Sequence, residues 1–173
     1  GLYIAAFRKE EQDGDFPDYI NDRQVKQKNK SERIPVNETA VIEPFLKEAG
    51  RFTFIRQNDE VLALPARMEN ELPVLQSSLY IKKAGIKMGR INHNELIPHH
   101  ELSVSTIIAN NVNRIEVDLT TALDYLRRSV LKIDTGEKGW HLITYSQLSL
   151  GWVKILAGRI NNYYPPNWRI LNK

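Results

Sequence analysis

Short strands separated by glycine-containing turns fill the C-terminal third of the chain and limit the folds that it can adopt. The segments "RIEVDL", "VLKI", "WHLITY" and "LGWVKIL" are apolar runs rich in β-branched and aromatic residues, which is typical of strands. The segment "DLTTALDYLRRS" instead has apolar residues at helical spacing behind Asp118 or Thr120 as an N-terminal cap. Gly136 and Gly139 punctuate the turns. Several short strands around one helix predict a small, mostly β barrel over residues 108–173.

Residues 36–107 combine one helical pattern with several strand patterns. In "NETAVIEPFLKEAG" the apolar residues share one side of a helix that Asn37 would cap. "RFTFIRQNDEVLALP" alternates and turns at Asn58 and Asp59, which predicts a hairpin. "SSLYIKKAGIKMGRI" predicts two further strands, broken at Gly85. The segment is therefore predicted to be a small α+β unit, and the fold class of the whole chain to be α+β.

The first 35 residues have a different character. Residues 1–9, "GLYIAAFRK", form an apolar run that we interpret as the last strand of a truncated domain. Residues 10–35 are polar, acidic first and basic second, which predicts a linker. The basic half of this linker, residues 23–33, is either an RNA contact or a solvated surface.

The composition of the 173 residues excludes several classes of protein. A hydrophobic fraction of 42% with 26% charged residues is typical of a globular chain. The chain has no cysteine, which excludes disulfides, thiolate metal sites and a cysteine nucleophile within it. No apolar run reaches the roughly 18 residues of a membrane span, and no leader pattern is evident. We therefore expect a cytoplasmic protein with no membrane partner.

The net charge of +3 conceals two basic blocks. Residues 77–100 carry four Lys and Arg against one acid, and residues 120–173 carry eight against three. Residues 1–76, in contrast, carry eleven against fourteen. Clustered cations indicate a nucleic-acid surface, because neutralised phosphates release counterions and thereby favour association. A solvated basic face is the alternative.

The segment "GWHLITYSQLSLGWVKILAGRINNYYPP" carries a specific resemblance to a known family. Within it, glycines, cations and a proline stand in a fixed order: Gly151, Lys154, Gly158, Arg159 and Pro165. It resembles the C-terminal PUA-like RNA-binding domain of the Sun-type RNA 5-methylcytosine methyltransferases, in particular their RsmF-like branch. The upstream segments "AGIKMGRINHNELIPHHEL" and "VDLTTALDYLRRS" are similar to further parts of that family. The sequence departs from the family pattern at Asn161, where lysine is commoner.

The resemblance implies a C-terminal fragment of an S-adenosylmethionine-dependent rRNA (cytosine-5)-methyltransferase. In that family a cysteine attacks C6 of cytosine, and S-adenosylmethionine binds to a doubly wound sheet. This chain has neither a cysteine nor a glycine-rich cofactor loop. We therefore expect it to bind RNA, ribosomal RNA in particular, for a catalytic domain in cis, with no catalytic, cofactor-binding or metal-binding residue of its own. The alternative is a free-standing basic protein-interaction module without an RNA-binding or catalytic role.

The candidate RNA-binding residues follow from the chemistry of RNA, since phosphates attract cations and unpaired bases stack on planar side chains. The candidate cations from this chemistry are Lys154, Arg159 and Arg169. The resemblance adds Lys87 and Arg90, which as exposed strand residues could instead protect a sheet edge. The candidate planar and amide side chains are Tyr164, Trp168, Asn161 and Asn162. Trp140 and Trp152 are expected in the core, and one of the adjacent tyrosines 163 and 164 is expected to face solvent.

Other polar residues fit enzyme or metal chemistry less well. His93, His99 and His100 follow no zinc-site spacing, and adjacent histidines point apart on a helix or strand. A small hydrolase is the remaining enzyme alternative, and it would use Asp124, Asp134, Glu137 and His141. The spacing of these residues supports neither a catalytic triad nor a paired-carboxylate site.

Overall fold

A computed structural model of the chain describes residues 32–133 and 136–171. The predicted strand at residues 1–9 and the predicted linker up to residue 31 lie outside the described residues, as does Asp134. Over the described part, the chain forms four α-helices and nine strands in two sheets. The predicted α+β fold class is confirmed.

The first sheet has five antiparallel strands that are neighbours in chain order. Its strands are β1 (Glu32–Arg33), β2 (Phe52–Gln57), β3 (Glu60–Pro65), β4 (Ile86–Asn92) and β5 (Glu95–Pro98). Three helices accompany it: α1 (Val36–Ile42), α2 (Glu71–Ser78) and α3 (His100–Ser103). The predicted turn of the β2–β3 hairpin is confirmed, because Asn58 and Asp59 have φ values of 49° and 63°. Two consecutive residues with positive φ match the right-handed twist of the strands.

Two details of this region differ from the sequence prediction. Helix α1 begins at Val36, directly after Pro35, so Asn37 lies inside its first turn rather than at its cap. The predicted pair of strands around Gly85 is a single strand, β4, because α2 and the segment after it occupy the residues before Gly85. A Cβ atom at Gly85 would lie 2.4 Å from the Ala63 carbonyl oxygen, which explains why glycine leads the chain into β4.

The second sheet has four strands in linear order: β6 (Arg114–Glu116), β7 (Gly139–Tyr145), β8 (Leu148–Leu156) and β9 (Arg159–Asn162). Strand β6 is parallel to β7, and the other neighbouring pairs are antiparallel. Helix α4 (Leu119–Arg127) connects β6 to the later strands, and Asp118 caps it by accepting a hydrogen bond from the Thr121 N–H at 2.8 Å. The predicted helix and its Asp118 cap are confirmed. The predicted strand "VLKI" is wrong, since residues 130–133 are not assigned to a strand.

One hydrophobic cluster joins the two sheets. Ile42 and Met88 from the first region and Leu142 and Trp152 from the second are all completely buried in it. Trp152 is therefore a core residue as predicted, whereas Trp140 is half-buried and packs against the core, with its ring centroid 6.4 Å from that of Trp152. The predicted boundary between residues 107 and 108 stays a prediction. Within the described residues, no helix is long and apolar enough to cross a membrane.

Candidate nucleic-acid interface

A groove of about 1130 Å³ runs along the outer edge of the second sheet. Residues 128–133 form one wall, and β9 with the residues that follow it forms the other. Among the described strands, β9 lies at the edge of its sheet, because β8 is its one neighbour there. We call this cavity the β9 groove. It brings together four of the candidate residues predicted from the sequence, namely Arg159, Asn161, Asn162 and Tyr164.

The end of helix α4 creates the first wall of the β9 groove. Arg128 adopts a left-handed backbone with φ of 59° and ψ of 30°, and its N–H donates to the Asp124 and Tyr125 carbonyls. This geometry ends the helix and turns the chain toward β9. Leu131 then anchors the segment by packing into a second core cluster with Tyr125 and Val153. The wall is therefore fixed by a helix cap and by apolar burial, without strand pairing.

The charged residues that line the β9 groove are all positive among those that the structure describes. Its cations are Arg128, Lys132 and Arg159, and none of the described residues that line it is acidic. Arg159 and Lys132 are exposed and form no ion pair within the described part of the chain. Arg128 donates to the Tyr164 carbonyl oxygen through one N–H of its guanidinium. A guanidinium has five N–H donors, so the others are left for a ligand.

An aromatic cluster fixes the floor near Tyr164. The Tyr164 ring lies edge-to-face with His100 and Tyr125, at centroid distances of 5.3 and 5.5 Å. Burial raises the pKa of Tyr125, so its hydroxyl stays protonated and donates to the Trp152 carbonyl at 3.2 Å. Tyr164 is half-buried, and so is Tyr163, which packs on Trp140 at 4.5 Å. The expectation that one of the two tyrosines faces solvent is wrong, because each packs on a different core cluster.

The two candidate asparagines have different positions. Asn162 uses both ends of its amide inside the protein, donating to the Tyr125 carbonyl and accepting from the Tyr164 N–H, each at 2.8 Å. Its contacts shape the groove by holding β9 and the next segment against α4. Asn161 is half-buried, lines the groove, and has no side-chain hydrogen bond within the described residues. Asn161 is therefore the amide that is left for a base or a ribose hydroxyl.

Lys154 lies away from the β9 groove and joins the two sheets. Its Nζ contacts both carboxylate oxygens of Glu95 at 2.6 and 2.7 Å and lies 5.2 Å from the centre of the Trp140 ring. Hydrogen bonding by Lys154 is the main reason that the pKa of Glu95 is lower than usual. A phosphate contact by Lys154, as predicted from the sequence, would have to compete with this carboxylate.

The other candidate residues are also separate from the groove. Lys87 and Arg90 both contact Glu60, at 2.6 and 3.8 Å. Trp168 is 63% exposed, and its ring lies edge-to-face with that of His100, with centroids 5.2 Å apart. Arg169 is exposed and follows the short 3-10 turn Pro166–Trp168. The structure therefore gathers Arg159, Asn161, Asn162 and Tyr164 in one place and leaves the other five candidates outside it.

Two groove cations were not predicted from the sequence. Arg128 belongs to the "RRS" end of α4, and Lys132 lies in the segment that the sequence pattern assigns to a strand. The signal that was available is the net positive charge of residues 120–173, which includes both. The position of these residues opposite β9 depends on the left-handed turn at Arg128, which the sequence pattern does not indicate.

The histidines and carboxylates do not assemble a metal site within the described residues, since no group of three or more potential ligands lies together there. His99 accepts a hydrogen bond from the Glu101 N–H at 3.1 Å and thereby caps α3. Burial lowers the pKa of both His99 and His100, so their neutral forms are favoured. His141 lies in β7 with its Nε2 atom 4.0 Å from the Glu137 carboxylate.

The comparison with protein families matches the part of the chain that contains the β9 groove. Residues 112–170 match the family described as the methyltransferase RsmF PUA domain. This range contains α4 and all four strands of the second sheet, and therefore both walls of the groove. A search among curated proteins finds no match. Over residues 112–170, the resemblance inferred from the sequence is confirmed by the family match.

Proposed function

We propose that this chain, whose residues 112–170 match the RsmF PUA domain family, binds RNA in the β9 groove. The observation that carries the proposal is the concentration of Arg128, Lys132 and Arg159 around a cavity with no acidic residue in its described lining. Cations arranged in this way attract the phosphates of a polyanion and release its counterions. The family match supports RNA as that polyanion, in the context of a methyltransferase.

The bound RNA, in this proposal, presents unpaired nucleotides to the groove. The lining of the groove also includes the apolar residues Ile133, Ile155 and Ile160, together with Tyr164. Unpaired bases can insert into such a surface, whereas the bases of a duplex stay stacked on each other. Asn161 then supplies a hydrogen-bonding amide next to the bases.

The longer protein is proposed to be an S-adenosylmethionine-dependent rRNA (cytosine-5)-methyltransferase of the cytoplasm. In it, the groove would capture ribosomal RNA for a catalytic domain in cis, which would bind S-adenosylmethionine and carry the cysteine nucleophile. The support is the family match together with the sequence resemblance. The present chain contributes binding and orientation of the substrate, which lower the entropic cost of the reaction.

The test compares Lys132→Ala/Arg159→Ala with Lys82→Ala/Lys138→Ala in the full 173-residue chain. All four residues are exposed, and the second pair lines neither wall of the groove. We expect the groove variant to bind a single-stranded oligonucleotide about tenfold more weakly and to lower the salt slope by roughly 0.7 for each lost phosphate contact. The control is expected to bind as the unmodified chain does. Equal affinities for the two double variants would refute the proposal.

A further inference from the structure

A second cavity, of about 580 Å³, lies at the end of the β2–β3 hairpin that is opposite to its turn. Phe52 and Pro65 pair there as the first residue of β2 and the last residue of β3. Residues 106–107 form a further wall, and a hydrogen bond of 2.8 Å from the Lys47 N–H to the Ile107 carbonyl joins it to the segment 47–51, which also lines the cavity. Three backbone segments therefore hold this cavity, which we call the cationic cleft.

Positive charge is in excess in the cationic cleft. Its cations are Lys47, Arg51 and Arg67, and Glu48 is the only acid among the described residues that line it. The Glu48 carboxylate accepts a hydrogen bond from the Arg51 guanidinium at 2.8 Å. Lys47 and Arg67 are exposed and have no ion-pair partner among residues 32–133 and 136–171. Two cations and the remaining donors of a third are therefore available to an anion.

A strained turn brings the cations together. Glu48 has a left-handed backbone with φ of 50° and ψ of 53°, directly before the 3-10 turn Ala49–Arg51. For a residue other than glycine, this conformation is strained. The turn is held by a hydrogen bond of 2.9 Å from the Arg51 N–H to the Glu48 carbonyl. It places Lys47 and Arg51, which lie on either side of it, in the same cleft.

Apolar surface lies next to these cations. Phe52 and Ile107 are half-buried, and together with Pro65 they form an apolar patch in the lining. A phosphate alone needs no such patch, whereas a nucleotide presents a phosphate and, one sugar away, a planar base. Arginine adds to this fit, because its planar group binds phosphate in a bidentate manner and stacks on rings.

We infer that the cationic cleft is a second binding site, which takes a phosphate-bearing nucleotide. Lys47 and Arg67 hold the phosphate, and the patch around Phe52 contacts the base. This site does not depend on the β9 groove, since all its lining residues precede the family-matched range 112–170. A nucleotide within an RNA strand and a free nucleotide share this chemistry, and the experiment separates them.

The experiment uses the full chain with two charge-reversed double variants. Lys47→Glu/Arg67→Glu changes the cleft, and Lys82→Glu/Lys138→Glu changes net charge by the same amount without lining the cleft. Each protein is titrated with a labelled oligouridine strand and, separately, with ATP, and binding is also followed through the amide NMR signals of Thr106 and Ile107. Since the four side chains are exposed, we expect the thermal unfolding midpoint to stay close to that of the unmodified chain.

For an RNA strand as the ligand, we expect the cleft variant to bind oligouridine about tenfold more weakly than the control variant does, with a salt slope lower by roughly 0.7 for one lost phosphate contact. For a free nucleotide, we expect ATP to move the two amide signals in the unmodified chain and the control but not in the cleft variant. Either outcome supports the site. Equal loss in both charge-reversed variants, or amide signals that neither probe moves, would overturn it. Because Lys132 and Arg159 are unchanged in these variants, this result is distinct from a failure of the β9 groove proposal.

Discussion

Replacing Lys154 by methionine is expected to weaken the junction between the two sheets. Glu95 belongs to β5 and Lys154 to β8, so their ion pair connects one sheet to the other. The Glu95 carboxylate also accepts a hydrogen bond from the Trp140 indole at 2.9 Å. The three side chains thus form one clamp, in which the ammonium group also faces the indole ring.

The exposure of the clamp limits its energy. The side chain of Lys154 is 22% exposed and that of Glu95 is 48% exposed, so water screens part of their attraction. Pairs with such exposure contribute about 0.2–1 kcal/mol, and a cation over an exposed ring adds about 0.5–1 kcal/mol. We therefore expect Lys154→Met to lower the free energy of unfolding by about 1–2 kcal/mol. The coupling between the two residues should be about 0.5–1 kcal/mol.

Acid should abolish this coupling. The hydrogen bond from Lys154 lowers the pKa of Glu95 below its ordinary value of 4.5. A carboxyl with a lowered pKa in the folded state stabilises the protein above its unfolded pKa and loses that contribution as the pH falls through the folded value. Urea unfolding of the unmodified chain, Glu95→Gln, Lys154→Met and the double variant measures the coupling at neutral pH and well below pH 4.5. A coupling below about 0.2 kcal/mol at neutral pH, or one that acid leaves unchanged, would refute this reasoning.

Two further predictions concern the packing around α4. Gly151→Ala should lower the free energy of unfolding by about 2–4 kcal/mol, because φ is 148° and the new Cβ would lie 2.2 Å from the buried Tyr125 hydroxyl. The control is Gly158→Ala, where φ is 79° and the space around the Cβ is open. A comparable loss of stability in the control, measured by urea unfolding, would contradict the steric explanation. Burial lowers the pKa of His100 below its ordinary value of 6.5, so the stability that its neutral ring contributes is complete above that pH and is lost as the pH falls toward the folded value. The fall in unfolding free energy between neutral pH and pH 5 should be smaller in His100→Gln, and an equal fall in both proteins would count against the prediction.

Local patterns predicted the elements whose signals lie within a few residues. The Asn58 and Asp59 turn and the Asp118 cap each depend on neighbouring residues, and both are confirmed. The strand predicted at residues 130–133 is wrong, because an apolar residue in this segment packs into the core without pairing in a sheet. Leu131 contacts the second core cluster, although residues 130–133 form no strand. The β4–β5 hairpin was missed, although His93 and Asn94 form its turn with positive φ. Histidine is a weak turn signal, so the pattern did not separate the two strands.

Which cations remain unpaired could not be predicted, because pairing depends on residues far apart in the chain. Lys154 forms an ion pair with Glu95, 59 residues away in the chain, and Lys87 forms one with Glu60 on the neighbouring strand of the first sheet. Sums of charge over blocks of sequence treat such paired cations and free ones alike. The acidic total of residues 1–76 likewise concealed the cationic cleft. Its cations gather there, while acids such as Glu38 and Glu69 lie against Arg56 and Arg33.

The β9 groove and the first sheet belong to one packing unit, although the family match covers only the second sheet. Tyr164 in the groove rests on His100, which belongs to α3 and therefore to the region before residue 112. Trp152 is completely buried, and its indole N–H donates to the His99 carbonyl at 3.1 Å. Without α3, the Tyr164 ring would lose an edge-to-face partner and the Trp152 indole its acceptor. Residues outside the family-matched range thus help to position the side chains of the groove that is proposed to bind RNA.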